Sequence, residues 1–183
     1  MKRLQLLPIG TPNRAALEEL GGRLAAQFRV GWELLPRPLD VGFAFHAERE
    51  QYHSSEILGR MSRMVGPDTW RLLAVTDHDL YIPILTFVFG EAQIAGQCAV
   101  VSSHRLRQEF YGLPADAEML RERLWKEAAH ELGHTLRLTH CESYDCVMAS
   151  SHAVEWIDVK QGEFCGSCYG RVVQQTFSVS AGM

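Results

Sequence analysis

The sequence predicts one α/β (α+β) domain in which helices pack on a mixed, twisted sheet. Two observations predict this fold. Helical and strand patterns alternate through the first two-thirds of the chain, and the remainder is cysteine-rich and irregular. The length of 183 residues suits one hydrophobic core better than two. We therefore expect a single domain over residues 1–183, with an N-terminal subdomain of about 1–138 and a small C-terminal subdomain of about 139–183.

The first half of the chain supplies two strands and two helices. Thr11 and Pro12 are expected to begin the first helix, as a cap and as a proline at the first helical position. Apolar residues then recur at helical spacing up to Phe28. The predicted elements are a strand at 4–7, a helix ending at 28, a strand at 32–35 and a helix at 54–64.

The second half supplies three more strands and a long helix. Leu120, Leu124 and Ala128 mark one apolar face of that helix. A final helix is expected to begin near Cys165. The predicted elements are strands at 72–75, 85–89 and 97–101 and a helix at 116–136.

Charge and hydropathy exclude some classes of protein. The net charge of −4 gives no electrostatic reason to expect a nucleic-acid partner. The apolar run after Lys2 and Arg3 stops at Pro8, which is too short for a signal peptide. No stretch approaches the roughly 18 apolar residues of a membrane span. We expect a cytoplasmic monomer that binds neither nucleic acid nor membrane.

His130 and His134 lie four residues apart in the long predicted helix. This spacing puts both imidazoles on one face, where they can bind one metal ion. Glu131 lies at the edge of that face and can reach a metal-bound water without being a ligand. Zinc with three protein ligands lowers the pKa of such a water to about 7. The pattern predicts a hydrolase that uses a zinc-activated water with Glu131 as general base.

His140 is the third candidate ligand, and it follows His134 by six residues. That separation cannot stay on one helical face, so the chain must turn back near residues 137–138. The motif HELGHTLRLTH resembles the metzincin signature H-E-x-x-H-x-x-G-x-x-H, which a methionine turn follows. Arg137 replaces the family's glycine, whose positive φ allows the reversal. Either the arginine keeps the left-handed conformation, at a cost of about 1 kcal/mol, or the turn has another shape.

Four cysteines follow the histidines as two close pairs. Their spacing is C-x4-C, eighteen intervening residues and then C-x2-C. This pattern is a strong signature of a closed zinc site with four thiolate ligands, although buried thiols and disulfides are alternatives. Disulfides fit poorly with a reducing compartment. We expect a structural zinc on Cys141, Cys146, Cys165 and Cys168.

The histidines, the cysteines and Met148 together resemble the archaemetzincins. The resemblance implies a metzincin-like mixed sheet, an active-site helix and a C-terminal subdomain that contains the second zinc. It also implies a catalytic zinc on the three histidines and Met148 beneath that metal. Ser150 stands where several metzincins have a tyrosine. An edge strand within residues 87–101 is expected to bind an extended peptide.

Two functions remain as alternatives. The first is a zinc-dependent metallopeptidase with two zinc ions per chain and a peptide or protein as substrate. The second is a non-catalytic zinc protein whose metal-stabilised domain forms an interaction surface. Glu131 favours the enzyme, because a purely structural site needs no carboxylate there. Nucleic-acid binding by residues 141–168 is disfavoured, because Lys160 is the only fixed positive charge among five acidic residues. His152 has no local pattern that assigns it a role.

Overall fold

The fold is described from a computed structural model, which covers residues 2–177. Within that range the chain forms eight strands and five α-helices. In chain order these are β1 (Arg3–Ile9), α1 (Arg14–Phe28), β2 (Gly31–Leu34), β3 (Phe45–His46), β4 (Gln51–His53), α2 (Ser54–Met61), β5 (Thr69–Thr76), β6 (Leu80–Tyr81), β7 (Gly90–Ala92), β8 (Cys98–Ser102), α3 (Ala117–Thr135), α4 (Val154–Val159) and α5 (Gly166–Phe177).

The main sheet has the strand order β2-β1-β5-β8-β7. Four of its strands run parallel, and β7 pairs antiparallel with β8 at one edge. A smaller sheet has the order β3-β4-β6. The predicted fold class, helices packed on a mixed sheet, is confirmed.

Helices cover both faces of the main sheet. Successive side chains of a strand point to opposite faces. On β5, Leu73 and Val75 join a core shared with α1 and α3, whereas Leu72 and Ala74 join a core shared with α2. All four residues are therefore apolar, as is typical of a strand buried on both sides. This packing fixes α3, which contains two of the candidate ligands, against the sheet.

The start of α1 differs from the prediction. Asn13 is the N-cap, and its Oδ1 accepts a hydrogen bond from Ala16 N at 3.1 Å. Thr11 and Pro12 lie before the cap, so the helix begins two residues later than expected. The prediction was wrong because Asn is at least as good a cap as Thr, and the side chain of Asn13 accepts from the free N–H of Ala16.

Residues 85–89 were predicted to form a strand, and this prediction was wrong. Of these residues, Val88 forms an isolated bridge with Leu80. The chain before it makes a turn in which Leu85 N donates to Ile82 O at 3.0 Å. Pro83 lies inside this turn and has no N–H to give to a sheet. The edge strand is β7, within the expected range of 87–101. The short helix α4 was not predicted.

The segment after α3 packs onto the core of the main sheet. Val147, Met148, Ile157 and Val172 belong to the same buried cluster as the apolar residues of α1 and α3. This packing holds the cysteine-rich segment beside the end of α3. The division into two subdomains stays a prediction, and residues 178–183 of the second one lie outside the described range.

Candidate active site

His130 and His134 project from the last turns of α3 with their rings already oriented. The Nδ1 atom of His130 lies 2.8 Å from Val147 O, and that of His134 lies 2.8 Å from Leu138 O. A carbonyl oxygen only accepts, so both Nδ1 atoms must carry the proton. The two Nε2 atoms are then unprotonated acceptors, and they face each other at 3.1 Å. Two facing lone pairs need a cation between them, which is how zinc-binding histidines are arranged.

His140 completes a group of three imidazoles. One ring nitrogen from each histidine lies within 4.8 Å of the others. Burial lowers the pKa of all three, that of His130 well below its usual range, and the positive charge of Lys160 adds to this effect. Neutral imidazoles are the form that binds metal. The donor set therefore fits a zinc ion with three protein ligands.

Arg137 makes the turn that brings His140 back to the other two histidines. It has a positive φ of 64°. Arg137 N donates to His134 O, and Leu138 N donates to Gly133 O, both at 3.1 Å. These two bonds form a Schellman motif, which usually has glycine at the left-handed position. Of the two expected possibilities, the arginine keeps the left-handed conformation.

Met148 lies directly beneath the histidine-bearing turn of α3. It is fully buried. A Cβ atom on Gly133 would overlap Met148 Sδ, so the absence of a side chain at residue 133 lets the methionine approach the helix. Cys141 N donates to Met148 O at 2.9 Å, which ties this methionine to the chain just after His140.

Glu131 is buried at the edge strand of the sheet. A Cβ on Gly90 of β7 would lie 2.7 Å from Glu131 Cγ and 2.8 Å from Val100 O. Only glycine therefore fits at residue 90 while the carboxylate keeps this place. Burial, followed by the charge of Glu127, raises the pKa of Glu131 well above its usual range. A carboxyl group with a raised pKa is suited to taking up a proton.

A cleft of about 480 Å³ opens above these groups. One wall is the edge strand β7 with the segment before it, and the opposite wall follows Met148. Ser150 lies on this second wall at the position of the metzincin tyrosine, together with His152. The lining residues are Leu85, Thr86, Phe87, Val88, Phe89, Gly90, Glu91, Ala92, Glu127, His130, Glu131, His134, His140, Ser150, Ser151 and His152.

The four predicted cysteines form a second group. Their Sγ atoms all lie within 4.8 Å of one another. Cys141 Sγ and Cys165 Sγ are 3.8 Å apart, too far for a disulfide and close to the edge of a tetrahedron with Zn–S bonds of about 2.3 Å. A hydrogen bond from a backbone N–H, at Cys168, lowers the pKa of Cys165 to about 7. The thiol set fits a zinc ion.

Reasoning from the sequence missed Glu127 and Lys160 and left His152 without a role. Glu127 and His152 line the cleft, and Lys160 is buried against Glu127. Glu127 had a usable signal, because it precedes His130 by three residues and so shares its helix face. His152 and Lys160 lie in irregular chain, where sequence spacing does not determine which side chains meet.

No helix within residues 2–177 combines the length and the apolar character that crossing a membrane requires.

Similar proteins are known. The model of peptidase family M54 matches residues 40–174. The archaemetzincin of Methanocaldococcus jannaschii is 36% identical over 179 residues, which cover 97% of each chain. That of Archaeoglobus fulgidus is 40% identical over 161 residues, covering 87% of this chain and 92% of the relative.

Solved structures agree with these relatives. The crystal structure of the Archaeoglobus fulgidus archaemetzincin, in complex with malonate, has a TM-score of 0.79 at 38% identity and covers 92% of this chain and 99% of that one. A zinc-dependent peptidase from Methanocorpusculum labreanum has a TM-score of 0.84 at 28% identity, with the same two coverages. The predicted enzyme class, a zinc metallopeptidase, is confirmed, and the non-catalytic alternative is not favoured. By sequence and by structure, the chain belongs to peptidase family M54.

Proposed function

We propose that this zinc metallopeptidase hydrolyses peptide bonds with His130, His134 and His140 as zinc ligands and Glu131 as general base. The observation that carries this proposal is the pair of Nε2 atoms that face each other at 3.1 Å beside the buried carboxylate. When bound, zinc supplies a Lewis acid that polarises the scissile carbonyl and lowers the pKa of a coordinated water.

Glu131 would take the proton from the attacking water at a carboxylate oxygen and pass it to the leaving amine. Its surroundings support this role. The side chain packs closely against Gly90 of β7, which limits its movement before substrate binds. Burial raises the pKa of this carboxyl group, which matches a group that holds a proton between two transfer steps.

An extended peptide would bind along β7. In the described residues β7 pairs with β8 alone, so its outer edge leaves backbone N–H and C=O groups free. Strand addition to such an edge supplies hydrogen bonds that do not depend on the substrate's side chains. The adjacent apolar wall, which includes Phe87 and Phe89, would contact a side chain of the peptide.

A second zinc would be structural. Four sulfur ligands fill a tetrahedral site and leave no position for water. We therefore propose two zinc ions per chain, the one on the cysteines holding the segment after His140. The monomeric state and the cytoplasmic location expected from the sequence belong to the same proposal.

Metal analysis and a cleavage assay on a peptide library test this proposal together. We expect two zinc ions per chain in the wild type and in Glu131→Gln, and about one in His134→Ala. Loss of the general base should lower kcat by about 10²- to 10⁴-fold while the metal stays bound. Libraries blocked at the N-terminus separate endopeptidase from aminopeptidase action.

For the metal analysis, Glu131→Gln is also the matched control of His134→Ala, because it removes the charge of a neighbouring side chain, keeps its shape and leaves all zinc ligands in place. Undiminished cleavage by this variant would contradict the role of Glu131. One zinc per chain in the wild type, fully lost in His134→Ala, would contradict the cysteine-bound zinc.

A further inference from the structure

A buried ion pair that the proposed mechanism does not use lies against the cleft. Lys160 Nζ is 2.8 Å from Glu127 Oε1, and the two side chains are only 1% and 5% exposed. Lys160 Nζ also donates to Ala149 O at 3.3 Å. Taking both charges out of water is costly, and an apolar pair of the same size is often at least as stable. Stability alone therefore does not explain why this pair is charged.

Glu127 lies on the face of α3 that bears the candidate zinc ligands. It precedes His130 by three residues and His134 by seven, so the three side chains form one stripe. Glu127 also lines the cleft. A glutamate three residues before a ligand histidine is a common metal-binding arrangement on helices, and zinc accepts carboxylate ligands.

A fourth protein ligand would be harmful at this site. A catalytic zinc needs an open coordination position, whereas four protein ligands make a closed, structural site. The donor atoms that lie within 4.8 Å of one another come from the three histidines, and Glu127 is not among this group. Its carboxylate is instead directed to Lys160.

We propose that Lys160 is a positioning residue that keeps Glu127 from becoming a fourth ligand of the metal. The inference rests on the proposed function, because it takes the three histidines to be the ligands of the catalytic zinc. Lys160 acts through Glu127 and does not touch substrate. Because its ammonium also bonds to Ala149 O, it is held in place by the chain that follows Met148.

Lys126 provides a matched control on the same helix. Its Nζ donates to Ile157 O at 3.0 Å and to Asp158 O at 3.3 Å. Both lysines therefore connect α3 with the chain that follows Met148, Lys126 through backbone carbonyls of α4 and Lys160 through its ion pair with Glu127. Lys126 makes no ion pair with Glu127 in the described part of the chain.

The test uses the full chain substituted with Co²⁺ at pH 8, because the visible absorption of Co²⁺ reports its coordination number. The spectrum of Co²⁺-substituted His134→Ala, which retains the cysteine site, is subtracted to isolate the histidine site. In Lys160→Met we expect the tetrahedral bands to shift, because the carboxylate of Glu127 would take the coordination position that is otherwise open to water. Cleavage should fall about 10- to 100-fold, as for other residues that orient metal sites.

The double variant Lys160→Met/Glu127→Leu removes the competing carboxylate. It should regain both the wild-type Co²⁺ spectrum and most of the activity. Lys126→Met should keep the wild-type Co²⁺ spectrum and the wild-type activity. If Lys160→Met does not fold, Lys160→Gln is used, because its amide can still bond to Ala149 O but no longer neutralises Glu127.

The outcomes separate this inference from the proposed function. A wild-type chain without tetrahedral Co²⁺ bands at the histidine site, or without cleavage, contradicts the proposed function. A normal wild type with an unchanged spectrum in Lys160→Met and in Lys160→Gln overturns only the role of Lys160. A double variant with a normal spectrum and no recovery of activity overturns it as well, because Glu127 would then not be the cause of the loss.

Discussion

The two metal-binding groups of this protein are built in different ways. Two of the three histidines stand on α3, whose backbone bonds and packing against β8 and α1 do not depend on metal. The contact of His134 Nδ1 with Leu138 O fixes one ring close to the helix end, whereas the ring of His130 is held by Val147 O, within the cysteine-bearing segment. Three of the four cysteines lie outside regular structure, and Cys168 lies in the first turn of α5. Their segment packs on the core through a few apolar side chains and through bonds such as Val147 N to Glu163 O at 2.9 Å. We infer that the fold organises the first site, whereas the metal organises the second.

Removing the metals should produce the largest difference between the two metal-binding groups. With a strong chelator and a reductant, we expect amide exchange in residues 141–168 to rise far more than that in α3, which stays protected. Zinc binding to four cysteines contributes on the order of 10 kcal/mol in small domains, far more than the sparse backbone bonds of this segment. Hydrogen exchange followed by mass spectrometry measures both regions in one sample.

His134→Ala is the matched control for this experiment. It should lose the metal of the histidine group and keep protection in residues 141–168. Equal protection of both regions after chelation would show that the cysteine segment is also organised by the fold.

The same contrast explains what could be predicted from the sequence. The histidines on α3 were identified because helical spacing determines which side chains share a face. The cysteine set was identified by spacing alone. Residues such as His152 and Lys160 were not, because they meet the site through irregular chain. The absence of a strand at residues 85–89 depends on a turn at Pro83, where apolar composition misled the prediction.

Gly133→Ala should have the next largest effect, because it disturbs the fold beneath the histidine group. The added methyl group would overlap Met148 Sδ, and such overpacking costs about 1–3 kcal/mol. The helix propensity of alanine offsets part of this cost. We expect a lower free energy of unfolding and weaker zinc binding by the histidines, measured by denaturant titration and metal competition.

Gly59→Ala is the matched control, because it makes the same substitution in a helix where the added methyl group contacts no other atom. No atom lies within 4 Å of the position that a Cβ on Gly59 would take. This variant should gain about 0.5–1 kcal/mol from helix propensity alone. If Gly133→Ala also gained stability, the close approach of Met148 would not be needed for the site.

Arg137→Gly should have the smallest effect, and it tests how far the fold alone positions His140. Glycine removes the cost of a left-handed arginine, about 1 kcal/mol, but adds entropy to the unfolded chain. We expect a net gain of at most about 1 kcal/mol, which raises Tm by roughly 2–4 °C for a chain of this size. Arg29 has a similar φ of 55° and ends α1 with the same pattern of bonds, from Arg29 N to Ala26 O and from Val30 N to Ala25 O.

Arg29→Gly is therefore the matched control, far from the histidines. Equal gains in both variants, with unchanged zinc affinity in Arg137→Gly, would mean that arginine at residue 137 is only a tolerated strain. A loss of stability confined to Arg137→Gly would mean that the arginine itself holds the turn. In that case the bond between His134 Nδ1 and Leu138 O would depend on residue 137, and the histidine group would be less independent of its loop than the comparison with the cysteine group implies.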